Sequence, residues 1–230
     1  MKNRLEKPNQ KEMTRRMIAT IFDIDGTLVE SFGFDDACYV SAIREVLGEV
    51  YIHSDWSKYK NVTDTGSLRQ IMEENKIQEK EQIKEVRTKF GELIRQYLQN
   101  GGKCCPKGGA IQLIDKLHTS EDYEVGFATG GWEHTAKMKL QHAGFNLRNT
   151  VLTSSDDGDE RVTIMKKCLL AVKKSCFHRI VYVGDAEWDM QATKELGWHF
   201  IGVGARLKGK CEFWVEDFSC QDTFMKMLYA

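Results

Sequence analysis

The residues able to do chemistry stand at the ends of short apolar runs. MIATIFDIDG, from Met17, ends in Asp23-Ile24-Asp25-Gly26-Thr27, which puts two carboxylates on one exit from a β-branched segment. A later run ends in Thr129-Gly130-Gly131, and another closes on Gly184-Asp185, with Asp189 about one helical turn further on. Arg161 stands ahead of the helical segment that leads back to Asp185. Carboxylates of this kind can attack an electrophile, move protons or offer hard oxygens to a divalent cation. A threonine beside glycine lets backbone and hydroxyl approach an anion closely, and an arginine adds a permanent cation. Each signal is ambiguous alone, since Asp-x-Asp-Gly also makes an Asx turn and Gly-Asp is a common strand exit. An EF-hand is excluded, because the full D-x-[DN]-x-[DN]-G pattern is absent and an apolar strand precedes the aspartates.

The elements that must position these groups follow from periodicity. The runs at 17–26, 123–131, 149–155, 179–185 and 199–204 are short, apolar and rich in β-branched residues, as buried parallel strands are. Helical patterns separate them, for instance Ile164, Met165, Cys168, Leu169 and Val172. Strand and helix in alternation predict an α/β fold with a doubly wound parallel sheet, whose ligand lies at the carboxyl ends of the strands. The chemistry-bearing residues fall at those ends or beside them. Residues 32–105 break the rhythm. There Ile83, Val86, Phe90, Leu93 and Tyr97 form one helical stripe, while Tyr39, Ile43 and Val46, and Leu68, Ile71 and Met72, mark two shorter helices. The expected organisation is a flexible leader over 1–16, a core from 17–31 and 106–230, and a helical cap over 32–105. Gly101, Gly102 and Pro106 suit a hinge and a helix start at the return to the core.

Composition narrows the class. The chain has 230 residues, 41% of them hydrophobic, enough for a proper core. Its 33 Lys and Arg against 34 Asp and Glu give a net charge of −1 with no basic half, so neither duplex nucleic acid nor an anionic membrane is an expected partner. Seven cysteines without a C-x-x-C spell out neither a disulfide framework nor a zinc site, and point to a reduced, cytoplasmic protein. The leader has no apolar stretch of signal-peptide length, and no run is long enough to span a bilayer.

Taken in order, Asp23-x-Asp25, Thr129, Arg161 and Asp185 with Asp189 form a motif series that resembles the haloacid dehalogenase-like hydrolases. The likeness is to the phosphatase branch with a helical cap, similar to phosphoglycolate phosphatase and β-phosphoglucomutase, and it covers the chain from residue 17. The resemblance implies Asp23 as nucleophile, Asp25 as general acid and base, Thr129 and Gly130 as phosphate ligands and Arg161 as the cation of the third motif. It implies Mg²⁺ as cofactor, held by Asp23, Asp185 and the backbone carbonyl of Asp25, with Asp189 completing the acidic set. The family more often has lysine at the third motif, and Lys166 and Lys167 lie nearby, inside the following helix. The charges suit these roles. A carboxylate about 4 Å from a phosphate charge is repelled by roughly 4 kcal/mol at an effective dielectric of 20, so counter-cations are required.

The function expected on this resemblance is a Mg²⁺-dependent phosphatase acting on a small phosphorylated metabolite through an aspartyl-phosphate, as a monomer or small homo-oligomer. A phosphomutase would keep every one of these residues, and a non-catalytic phosphate-binding protein is the alternative from another class. Asp25 argues against a dehalogenase, which needs no protonated leaving group. A phosphonate hydrolase would need a cap amine; Lys58 and Lys60 look like solvated surface. Thr63-Asp64-Thr65-Gly66 reads first as a helix N-cap, with Thr63 and Asp64 as candidates for substrate contact. Trp132 is expected to pack, His134 to be an exposed or capping helix residue, and Cys104 and Cys105 to be buried thiols.

Overall fold

The computed structural model describes residues 17–78, 81–172 and 176–230; the leader expected over 1–16 lies outside them. Five wholly buried residues, IATIF, make β1 (Ile18–Phe22). It is followed by β2 (Val29–Glu30) and three helices, α1 (Phe34–Leu47), α2 (Asp64–Glu74) and α3 (Glu81–Gln99). The chain returns through β3 (Cys105–Pro106) and α4 (Ala110–Thr119) to β4 (Tyr123–Ala128), then α5 (Glu133–His142) and β5 (Val151–Thr153). After these come α6 (Arg161–Ala171), β6 (Arg179–Gly184), α7 (Glu187–Leu196), β7 (His199–Val203), β8 (Trp214–Val215) and α8 (Gln221–Met227).

Six strands form one parallel sheet in the order β5-β4-β1-β6-β7-β8. β1 lies between β4 and β6, so the chain leaves it to opposite sides and a crevice opens at the carboxyl ends of the three. Ile18, Phe22, Phe127, Val181 and Val183 pack into one core with Leu113 and Leu117 of α4. Ile21 and Tyr182 face the other way, onto Ile164, Met165 and Cys168 of α6. The α/β doubly wound class is as expected.

The helices between β2 and β3 have a core of their own. Val86, Phe90 and Ile94 of α3 meet Tyr39 and Ile43 of α1, along with Leu68 and Ile71 of α2. Trp132, from the loop after β4, is buried in the same cluster, as its expected packing role requires.

Three local expectations need correction. Pro106 starts no helix: it pairs with Val29 in the two-residue antiparallel ladder β2–β3, and α4 begins only at Ala110. Cys104 is buried but Cys105 is exposed, because successive side chains of an extended segment point to opposite faces. His134 is not exposed; its ring lies half-buried against Gly91 of α3, where a Cβ would come within 2.4 Å of Nε2. Among the described residues no helix is long and apolar enough to cross a membrane.

Candidate active site

The carboxyl ends of β1, β4 and β6 deliver the site. Asp23 leaves β1 with its amide donating to the Val183 carbonyl at 2.9 Å, which locks the two strand ends together. The chain then turns sharply at Gly26, φ +80, where a Cβ would stand 2.6 Å from Asp185 Oδ2. A side chain is thus excluded there twice, by backbone conformation and by the carboxylate. β6 ends at Gly184 and hands over Asp185, while Asp189 sits in the first turn of α7 with Oδ2 accepting from the Ala186 amide at 3.3 Å.

Asp23, Asp185 and Asp189 are buried, and one carboxylate oxygen from each falls within 4.8 Å of the others. Burial, then the Asp189 charge, raises the Asp23 carboxyl well above the ordinary range, with Arg161 opposing. Asp185 is pushed up to about 7, again by burial first and Asp189 second. This is the signature of crowded anions short of cations. Arg161, at the first position of α6, is the buried cation of the set: Nη1 stands 3.1 Å from Asp23 Oδ1 and 3.0 Å from Asp189 Oδ1. Nη2 donates to the Val62 carbonyl at 3.3 Å. Asp189 Oδ1 nevertheless has no hydrogen-bond partner, since the ion pair lacks hydrogen-bond geometry. Three buried hard oxygens that converge, beside an Asp189 oxygen that receives no hydrogen bond, fit a small divalent cation.

Asp25 behaves differently from Asp23. Its Oδ1 accepts from Ser31 Oγ at 2.6 Å and from Lys139 Nζ at 2.6 Å, and its carboxylate does not belong to the close set of three. Thr129 Oγ1 accepts from the Gly131 amide at 3.0 Å, folding the Thr-Gly-Gly turn over the cleft. Gly130 lies so close to Arg161 that a Cβ would come within 2.6 Å of Nη2 and 2.9 Å of the Val62 carbonyl. Only glycine lets the guanidinium reach its place there.

These groups floor a cavity of about 120 Å³ roofed by Tyr39, Trp56, Thr63 and Asp64 from the helical region. Thr63 is the N-cap foreseen, accepting from the Gly66 amide at 3.0 Å. Asp64 ties that helix start to the β4 loop, its amide donating to the Gly130 carbonyl at 2.8 Å and its Oδ2 accepting from the Trp132 amide at 2.8 Å. Lys166 is exposed, as are Lys58 and Lys60, and Lys167 caps the Asp157 carbonyl from the surface. The structure therefore brings Asp23, Asp25, Thr129, Gly130, Arg161, Asp185, Thr63 and Asp64 to one cavity, and Asp189 behind Asp23.

A haloacid dehalogenase-like hydrolase family model matches residues 20–203. The chain belongs to that family. Solved structures share the fold of this hydrolase at low identity. A β-phosphoglucomutase from Clostridium difficile is 16% identical, with 93% of this chain and 100% of that one covered and a TM-score of 0.69. A predicted phosphoglycolate phosphatase from Haemophilus somnus is 16% identical over 92% and 98% of the two chains, TM-score 0.62. A mutant of CbbY from Rhodobacter sphaeroides, in complex with xylulose-(1,5)bisphosphate, is 15% identical over 88% and 95%, TM-score 0.66. Among curated proteins none matches.

Side chains of this hydrolase's site that were not singled out in the sequence include Ser31, Asp35, Trp56, Lys139 and Arg206. Arg206 stands 3.5 Å from Asp185 Oδ2 and 4.1 Å above the Phe32 ring. Lys139 was the most legible of them. It shares a helix face with Ala136, Leu140 and Ala143, all buried, and a lysine on such a face must find carboxylates.

Proposed function

We propose that the chain is a Mg²⁺-dependent phosphatase of small phosphorylated metabolites. The observation that carries the reading is the division of labour between two aspartates on one loop. Asp23 sits among Arg161, Asp185 and Asp189, while Asp25 is held apart by Ser31 and Lys139. Paired carboxylates in contrasting environments are how one site supplies a nucleophile and a proton carrier together.

Asp23 attacks phosphorus and forms an aspartyl-phosphate as the ester P–O bond breaks; Asp25 gives its proton to the departing alkoxide. Asp25 then takes a proton from the water that attacks the phosphorus, and the bond to Asp23 breaks to return carboxylate and phosphate. Arg161, the Thr129 hydroxyl and the Gly130 amide hold the oxygens that stay on phosphorus. Asp23, Asp185 and Asp189 would hold Mg²⁺, which when bound neutralises carboxylate and phosphoryl charge together. Thr63 and Asp64, over the cavity, would meet the alcohol side of the substrate.

A screen of phosphorylated metabolites for released phosphate, with Mg²⁺ and with chelator, tests the reading. Metal-dependent release from at least one is expected. Conversion of a sugar phosphate to its isomer without release would replace the phosphatase by a mutase, and tight phosphate binding with neither outcome would leave a binding protein.

A further inference from the structure

Lys139 is 1% exposed, yet it carries a charge, and both neighbours it grips are carboxylates: Asp25 Oδ1 and Asp35 Oδ1, each at 2.6 Å. Burial works to lower its pKa, but the two aspartates more than offset this and hold it above the ordinary lysine range. The lysine rises from α5 in the core, Asp25 belongs to the loop after β1, and Asp35 lies in the first turn of α1, the entry to the helical region. The connecting segment is stitched to the same point, because Ser31 Oγ reaches the Asp25 oxygen that Lys139 holds, while the Ser31 carbonyl accepts from the Asp35 amide at 3.2 Å. Both donors thus fall on Oδ1. The other oxygen, Oδ2, faces Gly131 and the cavity, 3.5 Å from where a Cβ of that glycine would stand.

We infer that Lys139 is a positioning residue for the reaction, strapping Asp25 to Asp35 so that Oδ2, the oxygen left without these donors, carries the proton to the leaving group. The inference rests on the phosphatase reading and deepens it. A carboxyl that can rotate offers its proton to the ester oxygen only part of the time; one gripped by an ammonium and a hydroxyl on a single oxygen keeps the other oriented. The step itself is unchanged: as Asp23 bonds to phosphorus and the ester P–O bond breaks, the proton moves from Asp25 Oδ2 to the alkoxide. Because Asp35 begins α1, the strap also ties this aspartate's placement to that of the helical region.

The test compares leaving groups with two probes, p-nitrophenyl phosphate, whose phenolate departs without a proton, and glycerol 2-phosphate, whose alkoxide needs one. The kinetic constant to follow is kcat/KM, which covers the step in which the leaving group departs. Lys139→Met, of similar length and apolar, is expected to lose about 10²-fold or more on glycerol 2-phosphate, the usual worth of a placed general acid, with little change on p-nitrophenyl phosphate. With the aryl ester it should release one p-nitrophenolate per site in a burst and then turn over slowly, since the attacking water must also yield a proton to Asp25. A damaged fold would depress both substrates alike; equal losses in the folded variant overturn the inference. Should Lys139→Met fail to fold, Asp35→Asn removes the far anchor while leaving the ammonium charge opposite Asp25. The ratio of alkyl to aryl kcat/KM should fall several-fold there, and an unchanged ratio overturns the strap. A wild-type chain inactive on both probes and throughout the metabolite screen would instead overturn the phosphatase reading, and this inference with it.

Discussion

Replacing Arg161 by methionine separates two contributions of one side chain. Its Nη1 lies 3.1 Å from Asp23 and 3.0 Å from Asp189, so at an effective dielectric of 20 each pair is worth roughly 5 kcal/mol of gross attraction. Much of that offsets the cost of burying the guanidinium; what methionine leaves behind is Asp23 and Asp189 buried without their cation, with only the half-exposed Arg206 beside Asp185. Breaking a buried pair from one side costs about 3–5 kcal/mol, and that loss of stability is expected in chelator. Added Mg²⁺ should restore most of it, because a divalent ion can neutralise the same oxygens. Turnover should not return. With the phosphoryl contacts gone, phosphate release at saturating Mg²⁺ should stay about 10²–10³-fold down. Lys at 161 should recover only part, since one ammonium cannot span Asp23 and Asp189 while also reaching the Val62 carbonyl. Thermal unfolding with and without metal, alongside phosphate release, reads both effects. Lys166→Ala, on the exposed side of α6, is the control. A crippled Lys166→Ala beside a nearly normal Arg161→Met would refute the reasoning.

Three further outcomes are expected. Asp23→Asn should abolish phosphate release with circular dichroism unchanged, and should raise the melting temperature in chelator, because it removes one of three mutually repelling buried charges; more than a few per cent residual activity would contradict the nucleophile. Chelation should stop turnover and Mg²⁺ restore it, whereas Ca²⁺, larger and satisfied by more oxygens, should bind and inhibit, which a phosphate-release assay in each metal decides. Asp35 is pushed up to about 6, by burial first, from an ordinary value of 3.8, so between those pH values only the folded chain keeps its proton. Stability should therefore fall as pH rises through that window, and Asp35→Asn should flatten this part of a pH series of unfolding midpoints.

The likeness to a family was readable because its residues sit where local pattern is strong. β1 is an unbroken apolar strand, and chain connectivity alone forces Asp23 and Asp25 onto its exit. The stripe from Ile83 to Tyr97 falls on one helix because a 3.6-residue repeat needs no tertiary information. Arg161 was placed by spacing, at the start of a helix that follows one strand and precedes the next, and the fold puts that helix start beside Asp23. Short pieces were not readable. β2, β3 and β8 have two residues each, too few to show a period, and exist only because a partner strand is held opposite. Side-chain pairings between distant elements were equally hidden. Nothing local says that Lys139 should meet Asp25 and Asp35, 114 and 104 positions away. Its burial beside Leu140 demanded some carboxylate, but which one depends on how α5, the β1 loop and α1 pack together. Sequence determined the types of groups and the strand ends that carry them. Tertiary structure decided which carboxylates crowd around Arg161 and which one Lys139 holds apart, because charges sort by distance in space and not by separation along the chain.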